Sequence, residues 1–278
     1  MAKEQKNTPG EESDPNASSR KRDHIDLAFK SRIEEAHLDS RFYYEPMLSA
    51  HPENTPDKGF YFVGRKMHAP LWVSSMTGGT EKAYTINKNL AKACKEFGMG
   101  MGLGSCRSLL SSDVRLKDFD FRKIIGDTLP FYANLGVAQV EQLFQKGKIN
   151  KIETLIDRLD ADGLILHINP FQEWLQPEGD RFVLSPIETL RQLIEAYPEL
   201  PIIVKEVGQG FGPESLKALL QLPIAAIEFG AAGGTNFAQL EMLRDEKGAE
   251  IYSGLARVGH SAKEMVDFTN ALKAELGD

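Results

Sequence analysis

One pattern recurs along most of this 278-residue chain: a short apolar run, a bend of small or polar residues, and an amphipathic helix. In the first copy, Leu71-Trp72-Val73 precede the bend Thr77-Gly78-Gly79-Thr80. Later runs occupy residues 99–103, 131–135, 163–168, 202–207 and 225–229. Nearly continuous apolar runs are typical of strands buried on both faces, as in parallel sheets between helices. The pattern therefore predicts six βα units.

Two architectures fit such units, a doubly wound sheet and a (β/α)₈ barrel. A doubly wound sheet concentrates its ligand-binding groups at one crevice, whereas a barrel collects them from the ends of many strands. Polar or small residues follow almost every run: Ser75-Met76-Thr77, Ser105-Cys106-Arg107, Asn134, His167-Ile168-Asn169, Lys205-Glu206 and Gly233-Gly234-Thr235. The sequence therefore favours an α/β fold of the TIM-type barrel class over residues 70–278.

Only six of the eight units of such a barrel are visible, so the prediction is a barrel that lacks the last two βα units. Its final helix is expected over residues 261–276, with a capping box of Ser261 and Glu264 and with Gly277 just past its end. A second capping box is predicted at Ser185 and Glu188.

The segment before the barrel has a different composition. Residues 1–19 are almost without apolar side chains and are predicted to be a disordered polar tail. Residues 20–69 are expected to form an N-terminal helix, beginning near Asp23, and a loop or hairpin lid.

Composition excludes several functional classes. The chain has 33 Lys and Arg against 40 Asp and Glu, and its net charge of −7 argues against a nucleic-acid-binding surface. No apolar run approaches the roughly 18–20 residues of a membrane span, and the polar N-terminus predicts no signal peptide. Cys94 and Cys106 have no metal-binding spacing. We therefore expect a cytoplasmic protein without a membrane or nucleic-acid partner.

The most specific candidate site is the segment from His167 to Glu173. His167 and Asn169 share one strand face, and Gln172 and Glu173 follow across Pro170. One carboxylate with amide and water partners is a typical Mg²⁺ site, so Glu173 is the candidate metal ligand. The alternative is a capping network that only holds the loop.

Other motifs leave two interpretations open. Lys205 ends an apolar run, so it faces either an electron-rich ligand or a carboxylate such as Glu206. The segment Ser75 to Gly79 is either a ligand-binding loop or a tight turn. The basic cluster from Arg20 to His24 suits a phosphate or is a solvated charged stretch. Gly233 to Asn236 opens a helix that could hold an anion, or Thr235 is its N-cap.

Taken together, these segments resemble type 2 isopentenyl-diphosphate isomerase, an FMN-dependent family. The resemblance is carried by Arg-Lys-x-Asp-His at 20–24, Ser-Ser-Met-Thr-Gly-Gly at 74–79, Gly-Ser-x-Arg at 104–107, Ala-Asn-Leu-Gly at 133–136, Leu-His-x-Asn-Pro-x-Gln-Glu at 166–173, Gln-Pro-Glu-Gly-Asp-Arg at 176–181, Val-Lys-Glu-Val-Gly at 204–208 and Gly-Gly-Thr-Asn-Phe at 233–237. It implies a barrel that binds FMN at its top and moves a double bond between isopentenyl and dimethylallyl diphosphate.

The resemblance also implies roles for individual residues. It assigns the flavin contacts to Met76, Thr77, Gly78, Ser105, Asn134, Lys205 and Thr235. It assigns the diphosphate substrate to Arg20, Lys21, His24, Ser105, Arg107, His167, Asn169 and Gln172. Glu173 would hold Mg²⁺. No side chain is a certain catalyst, because reduced flavin would act as acid and base, supported by His167, Asn169 and Gln172. NADPH would reduce the flavin, and the protein would form a homo-oligomer with Trp72, Trp174 and the aromatic segment 42–44 as anchors.

Three departures from the family pattern qualify these implications. Gly230 stands where the family has a flavin-contacting Ser, and Cys106 replaces a Gln. A Gly-Gly-Ile-Arg segment that grips the flavin phosphate is not found. We therefore expect residues 1–278 alone to bind FMN weakly, and the expected isomerase activity requires that the complete protein contains the absent C-terminal barrel region. The alternative functions are those of another FMN-dependent barrel oxidoreductase and of a truncated, non-catalytic relative.

Overall fold

The computed structural model describes residues 17–48, 50–51, 59–244 and 251–277. The chain divides into two units, Met1–Pro56 and Asp57–Asp278. The first unit contains helix α1 (Ala17–Leu27) and a 3₁₀ turn (Glu35–His37). Helix α1 begins earlier than Asp23, so the end of the predicted polar tail is helical, whereas residues 1–16 lie outside the described residues.

The second unit begins with a small hairpin. Strands β1 (Phe60–Phe62) and β2 (Arg65–Met67) pair antiparallel. Val63 and Gly64 connect them with φ values of 45° and 81°. Two successive residues with positive φ are typical of the tight turn that matches the twist of a hairpin.

Six parallel strands form the main sheet, in the order in which they occur along the chain. They are β3 (Trp72–Val73), β4 (Gly100–Gly102), β5 (Phe131–Gly136), β6 (Gly163–Ile168), β7 (Ile202–Glu206) and β8 (Ala226–Glu228). A doubly wound sheet reverses its strand order at a switch point, and this sheet does not. The predicted barrel-type sheet of six βα units is confirmed over the described residues.

Helices follow the strands. They are α2 (Glu81–Phe97), α3 (Arg122–Ile125), α4 (Val137–Gln145), α5 (Lys151–Leu159), α6 (Pro170–Leu175), α7 (Pro186–Ala196), α8 (Pro213–Leu220), α9 (Phe237–Arg244) and α10 (Ala262–Leu276). Helix α10 packs on α8, whereas α9 packs on the short helix α6. Thus α10 is the outer helix of the sixth unit, and α9 is an insertion beside α6.

One of the two predicted capping boxes is present. Ser261 Oγ accepts a hydrogen bond from the Glu264 amide, and Gly277 ends α10 in the left-handed region. The predicted box at Ser185 is wrong, because the Ser185 side chain makes no capping bond. Glu188 pairs instead with Arg191 on the same helix.

The two faces of the sheet bury different cores. The convex face packs Leu135, Leu166 and Val204 against the helices. The concave face carries Tyr132, Ile165 and Ile203, onto which Trp72 and Phe62 pack. The Trp72 ring lies 5.2 Å from the Phe62 ring and 5.9 Å from the Tyr132 ring, centroid to centroid. The hairpin therefore covers an apolar floor on the concave face, and polar groups lie at the carboxyl ends of the strands above it.

Candidate active site

Four polar side chains lie together on the concave face. Along the sheet, Gly136 pairs with His167, His167 with Lys205, and Lys205 with Glu228. Residues in register on parallel strands point to the same face. Asn134 lies two residues before Gly136 on β5, and its Oδ1 is 2.7 Å from His167 Nδ1. We call Asn134, His167, Lys205 and Glu228 the lumen cluster.

His167 is a neutral imidazole. Burial, and next the charge of Lys205, lower the pKa of His167 to about 3. With Asn134 Oδ1 as acceptor, Nδ1 carries the proton and Nε2 is left as an acceptor. A Cβ at Gly136 would lie 2.7 Å from His167 Nε2, so a glycine at that position gives the ring its space.

Lys205 is buried and lacks a side-chain hydrogen-bond partner among the described residues. Its Nζ donates to the backbone carbonyl of Glu206 at 2.8 Å. Burial lowers the pKa of Lys205, and the negative charges of Glu228 and Glu206 oppose that shift. Glu206 is not its ion-pair partner, because Glu206 Oε2 accepts the backbone N–H groups of the following turn, Gly208 to Gly210. The ammonium group therefore keeps N–H groups for another acceptor.

Glu228 was not singled out by the sequence analysis. Its Oε1 accepts a hydrogen bond from Ser74 Oγ, which joins the ends of β3 and β8, the two outermost strands of the sheet. Its Oε2 is buried and has no hydrogen-bond partner within the described ranges. The signal in the sequence was a carboxylate at a strand end, in register with Lys205.

The predicted segment from His167 to Glu173 makes hydrogen bonds within itself and with Asp180. Asn169 is buried before α6, and its Nδ2 donates to Gln172 Oε1 at 3.0 Å and to Glu173 Oε1 at 3.1 Å. Glu173 Oε2 accepts the backbone N–H of Asp180 at 2.6 Å. Asn169 Oδ1 is buried without a partner in the described part of the chain. The capping-network alternative is thus correct for these bonds, and one amide oxygen remains available.

Asp180 connects several elements at this end of the sheet. Its carboxylate accepts bonds from Gln139 Nε2 at 3.0 Å and from Gln142 Nε2 at 2.9 Å, and it pairs with Arg107 at 2.8 Å. We call Asp180, Arg107, Gln139, Gln142 and Glu173 the Asp180 network. Arg107, predicted to bind a diphosphate, is therefore already paired with a carboxylate.

Glu241 is a second functional candidate that sequence reasoning missed. It is buried on α9, and its Oε1 lies 3.4 Å from Gln172 Nε2. Its other oxygen pairs with Arg244, which also reaches Glu178 at 2.7 Å. The packing of α9 on α6 thus orients the Gln172 amide, and no motif in the sequence signals that contact.

The glycine-rich bend after β3 is a tightly packed turn. A Cβ at Gly104 would lie 2.3 Å from Thr77 O, and one at Gly78 would lie 2.2 Å from the Phe119 ring. Asn87 Nδ2 donates to Thr77 O at 3.0 Å. The turns that follow β3 and β4 are therefore packed too closely for a side chain at Gly78 or Gly104. Met76 and Ser105 beside them are exposed.

Two of the three departures from the family pattern, Gly230 and Cys106, have structural explanations. Gly230 has φ of 55°, and a Cβ there would lie 2.1 Å from Glu206 O, so this backbone admits no serine. Cys106 is fully buried; its amide donates to Asn134 O, and burial raises the pKa of the thiol to about 12. Gly230 offers no side chain to a ligand, and the Cys106 thiol donates to Gly104 O.

The remaining predicted residues belong to neither of these clusters. Thr235 is exposed in the turn before α9, and Asn236 rather than Thr235 caps that helix, because Asn236 Oδ1 accepts the Gln239 amide at 2.8 Å. Arg20, Lys21 and His24 are exposed on α1 in the other unit. Within the described ranges, no group of three or more His, Cys, Asp or Glu side chains could hold a metal. No helix among those residues is long and apolar enough to cross a membrane.

The chain was compared with known proteins. No family model matches it. A solved mandelate oxidase mutant with a monooxide FMN adduct covers 69% of this chain and 58% of its own at 11% identity, with a TM-score of 0.39. A score that low supports no conclusion about this chain.

Curated sequence relatives are much more similar. Isopentenyl-diphosphate delta-isomerase of Mycolicibacterium gilvum (strain PYR-GCK) is 34% identical over 226 residues, which is 80% of this chain and 64% of that protein. The protein of that name from Rickettsia canadensis is 37% identical over 229 residues, 81% of this chain and 65% of its own. The one from Methanosarcina barkeri is 33% identical over 240 residues, 85% and 64%. The chain spans a little under two thirds of these relatives' length, and over about four fifths of its own length it is homologous to the isopentenyl-diphosphate delta-isomerase family.

Proposed function

We propose that this protein converts isopentenyl diphosphate to dimethylallyl diphosphate, with FMN and Mg²⁺ as cofactors, as a cytoplasmic enzyme of isoprenoid biosynthesis. The name of the sequence relatives supports the reaction. The structural observation that carries the proposal is a buried lysine on the concave face of the sheet, beside a neutral histidine and an amide. The reaction adds a proton at one carbon and removes one from another, so it needs a water-poor site with controlled charge.

The lumen cluster fits a flavin. Lys205 has N–H groups beyond the one given to Glu206 O, and Ser75 Oγ is buried without a partner among the described residues. A cationic donor at the electron-rich edge of the ring would stabilise negative charge on its reduced form. Bound reduced FMN would supply the acid and base chemistry that no side chain here offers, and NADPH would be its reductant. Met76, Thr77, Gly78, Ser105, Asn134 and Thr235 complete the proposed set of contacts.

His167 and Asn169 would orient the substrate diphosphate. As the structure stands, the Nδ1 proton of His167 points to Asn134, and Nε2 cannot donate to a phosphate oxygen. Negative charge brought by a diphosphate raises the pKa of a neighbouring imidazole. Protonated His167 would then donate from Nε2 to phosphate while keeping its bond to Asn134.

Mg²⁺ would bind beside that diphosphate. Asn169 Oδ1 accepts no hydrogen bond from the described residues, and Glu173 adds a carboxylate. One carboxylate and an amide oxygen, completed by water and phosphate oxygens, suit Mg²⁺. Both oxygens of Glu173 already accept hydrogen bonds, which would hold the carboxylate in position.

Basic side chains and one amide would complete the binding of the diphosphate. Arg107 has to exchange Asp180 for phosphate, and its half-exposed guanidinium makes that exchange inexpensive. Gln172, oriented by Glu241, would add an amide donor. We propose Arg20, Lys21 and His24 on α1 as further donors to the diphosphate; Arg20 and His24 are four residues apart and share one helix face.

We also propose that the protein is a homo-oligomer. Tyr43 and Tyr44 are 92% and 88% exposed, and Trp174 is 59% exposed. Large exposed aromatic side chains are typical of protein interfaces. Trp72 is not such an anchor, because it packs between Phe62 and Tyr132 over the concave floor.

The proposal is tested by following ¹³C-labelled isopentenyl diphosphate by NMR under anaerobic conditions. Protein with FMN at a saturating concentration, Mg²⁺ and NADPH is expected to form dimethylallyl diphosphate without stoichiometric consumption of NADPH. The matched control omits NADPH, so that the flavin stays oxidised, and is expected to be inactive. Net oxidation of the substrate would instead identify an oxidoreductase, and flavin binding without turnover would contradict the isomerase assignment.

A further inference from the structure

A cavity lies outside the lumen cluster, beside the turns that follow β3 and β4. Its volume is about 630 Å³, which is within the usual range for small-molecule sites. It is lined by the glycine turn at Gly78 and Gly79, the turn from Ser105 to Ser111, and the segment from Gln139 to Lys151. We call this cavity the rim pocket.

The rim pocket is strongly cationic. Lys146, Lys148, Lys151 and Arg107 line it, and no Asp or Glu is among its lining residues in the described part of the chain. The whole protein carries a net charge of −7, so this local excess of positive charge is not a consequence of composition. A concave surface lined by one sign of charge concentrates ligands of the opposite sign.

Two of these cations are already partly engaged. Arg107 pairs with Asp180 at 2.8 Å, and Lys151 Nζ donates to Leu110 O. Lys146 and Lys148 have no carboxylate partner among the described residues. An arriving anion would therefore find two ammonium groups that need not give up an ion pair.

Neutral donors are present at the same place. Ser108 Oγ is buried and has no hydrogen-bond partner among the described residues. A Cβ on Gly79 would find Ser108 Oγ at 3.9 Å and nothing closer, so the space above this glycine is open. A buried hydroxyl without a partner is costly, and a ligand oxygen would satisfy it.

Asp180 connects the lining of the rim pocket to Glu173. Arg107, Gln139 and Gln142 line the pocket and all bind the Asp180 carboxylate. The backbone N–H of Asp180 donates to Glu173 Oε2. Asn169, Gln172 and Glu173 do not line the pocket.

We propose that the rim pocket binds a phosphate-bearing small molecule of nucleotide size at Lys146, Lys148 and Ser108, beside Ser105 and Arg107, which also line it and which the proposed function assigns to the diphosphate substrate. Lys146 and Lys148 hold the phosphoryl oxygens, and Ser108 Oγ donates to one of them. Ammonium groups and hydroxyls bind phosphate through charge-assisted hydrogen bonds. Free diphosphate and the phosphates of a dinucleotide share this chemistry.

The test is isothermal titration of the intact protein with inorganic pyrophosphate and, separately, with NADP⁺. The double substitution of Lys146→Gln and Lys148→Gln is expected to raise the Kd at least about tenfold. The control is Lys92→Gln with Lys123→Gln, which removes the same charge from exposed positions elsewhere and is expected to leave the Kd unchanged. A thermal melt confirms that each variant folds.

The outcomes separate this site from the proposed active site. Lysine-dependent binding of both probes indicates a site for bare phosphoryl groups, and lysine-dependent binding of NADP⁺ alone indicates a dinucleotide site; both support the proposal. Binding that is kept in the lysine pair variant would overturn the rim pocket, and its loss in Gln172→Ala would then place the anion at the proposed active site. Lysine-dependent binding of pyrophosphate without binding of NADP⁺ would overturn a ligand of nucleotide size. Absence of binding by either probe would overturn it as well.

Discussion

The lumen cluster and the Asp180 network lie at the same end of the sheet but differ in how their polar groups are satisfied. In the lumen cluster, Glu228 Oε2 has no partner among the described residues, and Lys205 donates to one backbone carbonyl. In the Asp180 network, Asp180 takes three side-chain partners and both oxygens of Glu173 accept hydrogen bonds. Unsatisfied buried groups cost free energy that a ligand recovers.

This difference indicates which residues bind a ligand and which residues hold other groups in position. Groups of the lumen cluster retain hydrogen-bonding capacity toward the concave space, so substituting them should change ligand binding. Groups of the Asp180 network mainly hold turns together, so substituting them should change stability first. Glu173 belongs to the network and is also the candidate metal ligand, which makes it the residue where the two behaviours meet.

The largest effect is expected for Lys205→Met, which removes the buried charge but keeps most of the volume. Without the cation, reduced flavin loses more stabilisation than oxidised flavin, so the FMN midpoint potential should fall, by roughly 30–60 mV for a two-electron couple. Turnover should fall about 10²–10³-fold. A spectroscopic redox titration measures the potential independently of activity.

Glu228→Gln is the matched control for that charge. It removes the negative group in register with Lys205, so the potential should shift in the opposite direction. A fall in potential in both variants would mean that the lumen cluster acts through packing, not charge.

Glu173→Gln should reduce Mg²⁺-dependent turnover by about 10–100-fold, because it removes the charge of the proposed ligand. The new amide N–H₂ would also oppose a donor, either the Asp180 backbone N–H or Asn169 Nδ2, and cost about 1–2 kcal/mol of unfolding free energy. Activity as a function of Mg²⁺ and urea unfolding measure the two effects. Equal turnover of the unmutated protein with and without Mg²⁺ would remove the metal assignment.

Asp180→Asn is expected to affect stability without affecting the flavin. The amide cannot accept from Gln139, Gln142 and Arg107 together, so the unfolding free energy should fall by about 1–2 kcal/mol. The half-exposed ion pair itself contributes little. Urea unfolding measures the loss, and an unchanged midpoint potential is required if the two clusters are independent.

The smallest effect near neutral pH concerns His167. Its folded pKa of about 3 lies below the unfolded value of about 6.5, so the unfolded state binds more protons between these values. The unfolding free energy should be flat above pH 6.5 and fall below it, by no more than ~1.4 kcal/mol per pH unit from this group. His167→Gln should flatten that slope in urea unfolding at several pH values, whereas the exposed His37→Gln should not. An unchanged slope in His167→Gln would show that the imidazole is protonated in the folded protein.

The six strands of the main sheet and their order could be predicted from the sequence because the central strands are apolar runs buried on both faces. Residues 131–136 and 163–168 are examples, with Leu135 and Leu166 against helices and Tyr132 and Ile165 toward the concave floor. The helix cap at Ser261 was equally local, since it depends on residues three apart. The predicted cap at Ser185 is not formed, and Glu188 pairs with Arg191 on the same helix.

Residues of the site could be predicted only where a polar or charged side chain stands at the end of an apolar run. Lys205 and His167 were identified by their residue type at the end of an apolar run, and their register was a consequence of the parallel sheet. Glu228 and Glu241 were missed because a carboxylate in a short strand or on a helix has no distinguishing local pattern. Their partners, Ser74 and Gln172, are far away in the sequence.

The amino-acid sequence by itself determined the βα repeat, the chain order of the strands and the family to which the chain is homologous, because these depend on local periodicity and on residue identity. Only the tertiary structure decided which polar groups are satisfied. Asp180 pairs with Arg107, and Lys205 donates to one backbone carbonyl among the described residues. The tertiary structure also leaves no space for a side chain at Gly230. Hydrogen bonding between distant segments depends on how the turns pack against one another, and that packing is a property of the folded sheet and not of any one segment.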